Sequence, residues 1–180
     1  MFSVLSLGVL ADFIVPCLKQ FEMIFYPPAP VLYTERSQLT GLENGEFVLQ
    51  PKWDGRRAVL MPDGTFRSKR DKAIDKQPWC DLPLPEPKAP MDLELMRDRV
   101  HVLDLMLPTT FDERKKIAEM LGLNLFDLNV SSIDEINYCL REWKASGECD
   151  GVVLKRRSVP YPLRDSLRPL SDWVKVKRLI

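Results

Sequence analysis

Two stretches of this chain carry the clear 3.6-residue apolar period of an amphipathic helix, and both are short. The first, "TFDERKKIAEMLG", opens on Thr110 as N-cap, completes a capping box with Glu113 and stops at Gly122. The second, "SSIDEINYCLREWKASG", is capped by Ser131 or Ser132, lines up Ile133, Ile136, Leu140 and Trp143, and stops at Gly147. Elsewhere the apolar residues come in short runs punctuated by Pro, Gly or Asp-Gly, which is how strands read. "GEFVLQPKW" and "RRAVLM" predict strands, Asp63-Gly64 a tight turn, and "TFRSKR" the returning strand. "MDLELM", the turn "RDR" and "VHVLDLM" predict a hairpin, "LNLFDLNV" a strand, and "GVVLKRR" and "DWVKVKRLI" the last two. "FYPPAPVLYTE" holds too much proline for a helix and reads as an extended lead-in, while the five prolines between Lys76 and Pro90 predict a surface loop. The pattern implies an α+β domain of mostly antiparallel sheets flanked by two helices, over residues 23–180, with no repeat.

Residues 1–22 are apolar but lack a basic start and are broken by Asp12 and Pro16, so a peripheral docking helix fits better than a signal peptide. Four cysteines without CxxC spacing and a single histidine cannot form a zinc site together, and they point to a reduced, cytoplasmic protein. A formal net charge of zero neither requires nor excludes an anionic partner. The distribution is more informative. Lys52 to Lys72 holds seven cations against three acids, and Gly151 to Ile180 eight against two. Two distant basic segments can converge on one anionic ligand or form separate solvated faces.

Seven charged residues sit in or beside strand-like runs: Lys52, Arg67, Glu94, Asp150, Lys155, Lys175 and Lys177. Any one of them is explained by a wet sheet face. As a set they offer cations for phosphates, carboxylates for a ribose or a metal, and a lysine able to act as a nucleophile. Such a lysine must lose its proton, and neighbouring cations with partial desolvation favour that loss. Lys175 and Lys177, two apart on a strand, share a face and can serve both that purpose and the charge of a transferring phosphoryl group.

These residues fall in motifs with a recognisable order. "KWDGRR" is similar to the K-x-D-G-x-R signature of the covalent nucleotidyltransferase superfamily of ATP-dependent DNA ligases, RNA ligases and mRNA-capping enzymes. "FRSKR" resembles its arginine-bearing strand, "MDLELM" its D-G-E strand, "VLDLM" its aromatic-Asp-Leu strand, "CDGVVLK" its E-G-V-V-L-K motif and "DWVKVK" its W-x-K-x-K. The match runs from about Gln50 to Lys177 and looks closest to bacterial DNA ligases. The resemblance implies an adenylation domain of the ATP-grasp-like ligase and capping-enzyme type, without a C-terminal OB-fold. ATP and Mg²⁺ (or Mn²⁺) are the implied cofactors, and nicked or broken DNA with 5′-phosphate and 3′-hydroxyl ends the implied partner. A separate OB-fold or clamp protein would complete the grip.

The implied roles follow the motifs. Lys52 attacks the α-phosphate, and Asp54 orients it or helps hold the metal. Arg57 and Arg67 contact nucleotide or 5′-phosphate. Glu94 binds the ribose and stands near the metal, Asp150 binds the metal, and Lys175 and Lys177 bind the α-phosphate. Lys155 is either part of this set or a solvated strand end. The departures are specific. Gln50 stands where DNA ligases place a glutamate that reads the adenine amino group, and its carbonyl can still accept that bond. Asp150 replaces a glutamate. Leu93 replaces a glycine and would crowd the ribose side. Leu103 replaces the base-stacking aromatic, with Phe126 expected in the core rather than as its substitute. With no OB-fold, slow self-adenylylation and poor nick sealing are expected. An RNA ligase, a capping-type guanylyltransferase and a degenerate nucleotide-binding or nucleic-acid-binding domain remain alternative readings.

Overall fold

The computed structural model describes residues 26–75, 89–162 and 169–180. The expected docking helix in residues 1–22 lies outside these, as does nearly all of the proline-rich segment. Among the described residues nine strands build two sheets: β1 (Ala29–Leu32), β2 (Phe47–Trp53), β3 (Arg56–Leu60), β4 (Phe66–Ser68), β5 (Met91–Leu95), β6 (Val100–Leu105), β7 (Leu128–Val130), β8 (Cys149–Arg156) and β9 (Pro169–Val176). The first sheet runs β1-β9-β8-β2-β7 and the second β4-β3-β5-β6. All pairings are antiparallel except β1 with β9, so the proline-rich lead-in forms a parallel edge strand rather than a mere tether. Among the described residues no strand is left over for an OB-fold, and no helix is long and apolar enough to cross a membrane.

Period-two alternation sorts the first sheet into two faces. Phe47 and Leu49 of β2, Val152 and Leu154 of β8, and Val174 and Val176 of β9 bury against α2 (Ile133–Ala145), whose Ile136 and Leu140 close that core. Each such fully buried aliphatic side chain contributes about 1.5–3 kcal/mol. The opposite face carries Gln50, Lys52, Val153, Lys155, Trp173 and Lys175, which line a cleft. The second sheet buries Ala58, Met91, Leu93, Leu95 and Leu105 with Ala118 of α1 (Phe111–Met120). A third cluster, Val59, Met106, Tyr161 and Trp173, joins residues of the two sheets.

Both helices start where their caps predict. Thr110 accepts from the Glu113 amide and Ser132 from the Glu135 amide. The expected strand over "LNLFDLNV" shrinks to Leu128–Val130, because Leu125 turns into the second core and the Phe126 carbonyl is taken by the Gln50 side chain instead of a ladder partner.

Candidate active site

The cleft between the sheets has a volume of about 500 Å³. The first sheet gives it Gln50, Lys52, Lys155 and Lys175, and the second gives Arg57, Glu94 and Leu103. At one end Asp150 takes two lysines at once, Lys52 Nζ on Oδ1 and Lys177 Nζ on Oδ2, both at 2.5 Å. Partial burial works against the Asp150 charge, but the ammonium groups of Lys177 and Lys52 hold its carboxyl below the usual range. The register explains how Asp150 gets there. Lys52 pairs with Gly151 and Trp53 with Cys149, so Asp150 is the extra residue of a β-bulge, which turns its side chain towards Lys52. Gly151 is obligatory at this spot, since a Cβ there would meet the Val176 carbonyl oxygen at 2.4 Å.

A second bulge shapes the middle of the cleft. Asp92 pairs with Asp104 and Leu93 with Val102, leaving Leu103 unpaired. Its freed carbonyl accepts from Gln50 Nε2 at 3.1 Å and from Lys155 Nζ at 3.1 Å, both reaching across from the first sheet. Gln50 Nε2 also donates to the Phe126 carbonyl at 3.0 Å. Two carbonyl neighbours can only face the amino end of the amide, so the Gln50 orientation is fixed and its Oε1 is left as an acceptor.

Lys155 is no solvated strand end. It is buried, its Nζ lies 2.9 Å from Asp104 Oδ2, and it sits 4.2 Å from the Trp173 ring centroid. Arg114 grips the same Asp104 at 2.7 and 3.1 Å. Burial pushes Lys155 down, with Asp104 opposing; the Asp104 carboxyl itself stays below its usual range because Lys155 and Arg114 outweigh burial. Next to it, buried Asp92 is held by Arg57 at 2.8 and 2.5 Å and by the Tyr161 hydroxyl at 3.0 Å. Arg57 also donates to the Pro28 carbonyl at 2.6 Å. Burial works against the Arg57 charge, yet Asp92 keeps it above its ordinary range.

Glu94 accepts from the Gly55 amide at 3.1 Å. Burial pushes its carboxyl up to about 7; Arg57 and Lys52 oppose the rise and Asp92 adds to it. A Cβ at Gly55 would meet the Leu95 carbonyl oxygen at 2.6 Å, so the Asp-Gly pair after Lys52 serves a close approach of two strands.

Seven of the residues singled out in the sequence thus share one cleft: Gln50, Lys52, Arg57, Glu94, Leu103, Lys155 and Lys175. Asp150 joins them through its ion pair with Lys52, and Lys177 through its ion pair with Asp150. Two residues lie apart. Asp54 is exposed and has no side-chain partner among the described residues, and the carboxylate beside Lys52 is Asp150. Arg67 pairs with Asp71 at 2.8 Å and does not line the cleft; its neighbours Ser68 and Lys69 do. Strand alternation carries no signal for Lys69, which lies in the turn just after β4. Leu93 does not crowd the cleft, because it points into the second core with no exposure. Phe126 is 43% exposed and stands edge-on to Trp143, so the expected core position is corrected. Sequence reasoning missed Trp53 stacked on His101, a contact between sheets that no local pattern encodes.

No protein-family model matches the chain, and no curated protein matches it by sequence. Solved structures do match. A Lig E DNA ligase, described as binding DNA with a minimal scaffold, aligns at 18% identity and a TM-score of 0.66, covering 87% of this chain and 70% of the ligase. Chlorella virus DNA ligase-adenylate aligns at 14% and 0.61, covering 87% of this chain and 69% of the other. A mycobacterial DNA ligase D complexed with ATP aligns at 20% and 0.57, with 86% and 62% covered, and an archaeal ATP-dependent RNA ligase at 16% and 0.57, with 86% and 48% covered. The chain therefore has the fold shared by these ATP-dependent ligases.

Proposed function

We propose that this chain is the adenylyltransferase core of an ATP-dependent polynucleotide ligase acting on DNA. The observation that carries the reading is the convergence of Lys52 and Lys177 on Asp150 at one end of a cleft whose other walls hold Lys175, Gln50, Leu103 and Glu94, on a ligase fold. Lys52 is the nucleophile. Its ammonium sheds a proton to solvent, Nζ forms a bond to the α-phosphorus of ATP, and the bond from that phosphorus to the β-phosphate oxygen breaks to release pyrophosphate. Lys175 and Lys177 offset charge on the phosphates. An oxygen of a DNA 5′-phosphate then displaces Lys52 from the adenylyl group, and a 3′-hydroxyl attacks the activated 5′-phosphorus and releases AMP. Splitting one condensation into such transfers is the usual logic of covalent catalysis.

Gln50 Oε1, free to accept, suits the 6-amino group of adenine and opposes the 6-oxo group of guanine, which favours ATP over the GTP of capping enzymes. Glu94, bonded to the Gly55 amide, serves the ribose hydroxyls. Lys69, on the same cleft, takes the phosphate-contacting role assigned in the sequence to Arg67. Among the described residues no cluster of three metal-ligating side chains forms a cage. Mg²⁺ commonly needs only one or two carboxylates, with phosphates and water completing its shell, so the residues fit it in that sense. Asp150 would hold it, and the ion would supply further charge neutralisation at the phosphates.

Intact-mass spectrometry after incubation with ATP and Mg²⁺ tests the reading. The wild type gains one acid-labile AMP and Lys52→Ala gains none. A wild type that stays unlabelled after any pre-bound AMP is excluded refutes it. The shared fold with an archaeal RNA ligase makes nicked RNA the second acceptor to try; sealing of nicked RNA in preference to nicked DNA would move the assignment to RNA.

A further inference from the structure

The indole of Trp53 lies flat on the imidazole of His101, with ring centroids 3.8 Å apart and planes 2° from parallel. The two come from different sheets, Trp53 from the end of β2 and His101 from β6. Trp53 follows Lys52 directly, and His101 is the register partner of Glu94 on the neighbouring strand. The pair therefore touches both halves of the reacting geometry: the strand end that carries the nucleophile and the strand pair that carries the ribose carboxylate. Neither ring belongs to any of the three apolar cores, and both are only half-buried, so the contact is more than a corner of the packing already described. The same corner is tied by the Arg99–Glu148 ion pair at 3.3 Å and by the Asp54 amide donating to the Glu148 carbonyl at 3.0 Å. His101 Nε2 is sealed from solvent without a hydrogen-bond partner, a cost that an apolar ring at this position would avoid.

We propose that His101 is a positioning residue for lysyl-AMP formation: stacked on Trp53, it sets the separation between Lys52 on one sheet and Glu94 on the other. The inference rests on the adenylyltransferase reading above. It does not give His101 a proton-transfer role, because the imidazole touches the indole and not the reacting atoms. A flat ring of any polarity should do the same work, whereas a bulky aliphatic side chain fills the space without fixing the plane of the indole. Nucleotide affinity, carried by Gln50, Leu103 and Glu94, should be little affected. The rate of transfer should suffer, since misplacement of reacting groups by about 1 Å costs on the order of 100-fold.

The test is single-turnover adenylylation of wild type, His101→Phe, His101→Leu, Trp53→Ala and the Trp53→Ala/His101→Leu double variant, with AMP affinity measured on each by calorimetry. His101→Phe should react within about twofold of wild type and melt at an equal or higher temperature, having lost the unpaired nitrogen. His101→Leu should react about tenfold or more slowly with AMP affinity within about twofold. The double variant should be no slower than Trp53→Ala. His101→Leu reacting like wild type, AMP affinity falling in step with rate, or rate losses that multiply in the double variant would each overturn the proposal. Leucine and phenylalanine are no smaller than histidine and open no cavity at this half-buried position, and the melting temperature of each variant reports that it folds. A wild type that takes no label overturns the adenylyltransferase reading itself, and this one with it; a labelled wild type matched by His101→Leu overturns this one alone.

Discussion

Replacing Asp104 with asparagine isolates the buried charge that joins the two sheets. Asp104 has no exposure, accepts two bonds from Arg114 at 2.7 and 3.1 Å and one from Lys155 at 2.9 Å, and takes its own strand neighbour's amide, Leu105, at 3.0 Å. Asparagine fits the space but removes the negative charge and turns a donor towards one of the two cations. Breaking a buried ion pair by removing one partner costs about 3–5 kcal/mol. A domain of this size holds only about 5–15 kcal/mol in total, so the loss is at least a fifth of its stability. Lys155 limits the damage. Already pushed down by burial, it can shed its proton when Asp104 no longer opposes that shift. The expected result is a loss of about 3 kcal/mol in urea unfolding at pH 7 with an unchanged m-value. Asp98→Asn, which breaks the exposed pair with Arg99, should leave the urea unfolding curve nearly unchanged. The acid side gives a second reading. Asp104 lies below its usual value in the fold, so its stabilisation is present above the unfolded carboxylate range and lost as pH falls through the lower folded value. The variant should show a flatter stability profile in that acid window. An Asp104→Asn protein within about 1 kcal/mol of wild type would refute the claim that this cluster holds the sheets in register.

Gln50→Glu, which restores the residue typical of DNA ligases, should harm this protein: a carboxylate would face the Leu103 and Phe126 carbonyls with no hydrogen to offer, at a cost of about 2–4 kcal/mol read from thermal unfolding. Glu94→Gln should remove a pH dependence. Because burial raises Glu94 to about 7, its contribution to stability is complete below the ordinary carboxylate value of 4.5 and is lost as pH rises to about 7; the wild type should lose stability across that window relative to the glutamine variant. Parallel unfolding curves for the two proteins from pH 4.5 to 7.5 would contradict this.

Local chemistry was legible in the residues alone. The caps at Thr110 and Ser132, the Asp63-Gly64 turn and the alternation in "GEFVLQPKW" depend on near neighbours, and the helices and the main strands follow them. Local alternation also accounts for Gln50 and Lys52 sharing one face of β2, because side chains alternate whatever the strand pairs with. What the residues could not reveal was where a strand skips a residue. The bulges at Asp150 and Leu103 depend on which partner strand arrives and in which register, and they decide that Asp150 meets Lys52 and that a backbone carbonyl meets Gln50 and Lys155. The same limit explains Leu93 and Phe126, whose surroundings are set by contacts between distant elements, whereas Arg67 is held by a residue only four positions along the chain. Sequence spacing fixed the kinds of groups available to the cleft. The pairing of the strands decided which of them face one another, because a one-residue skip moves a side chain from one side of a sheet to the other.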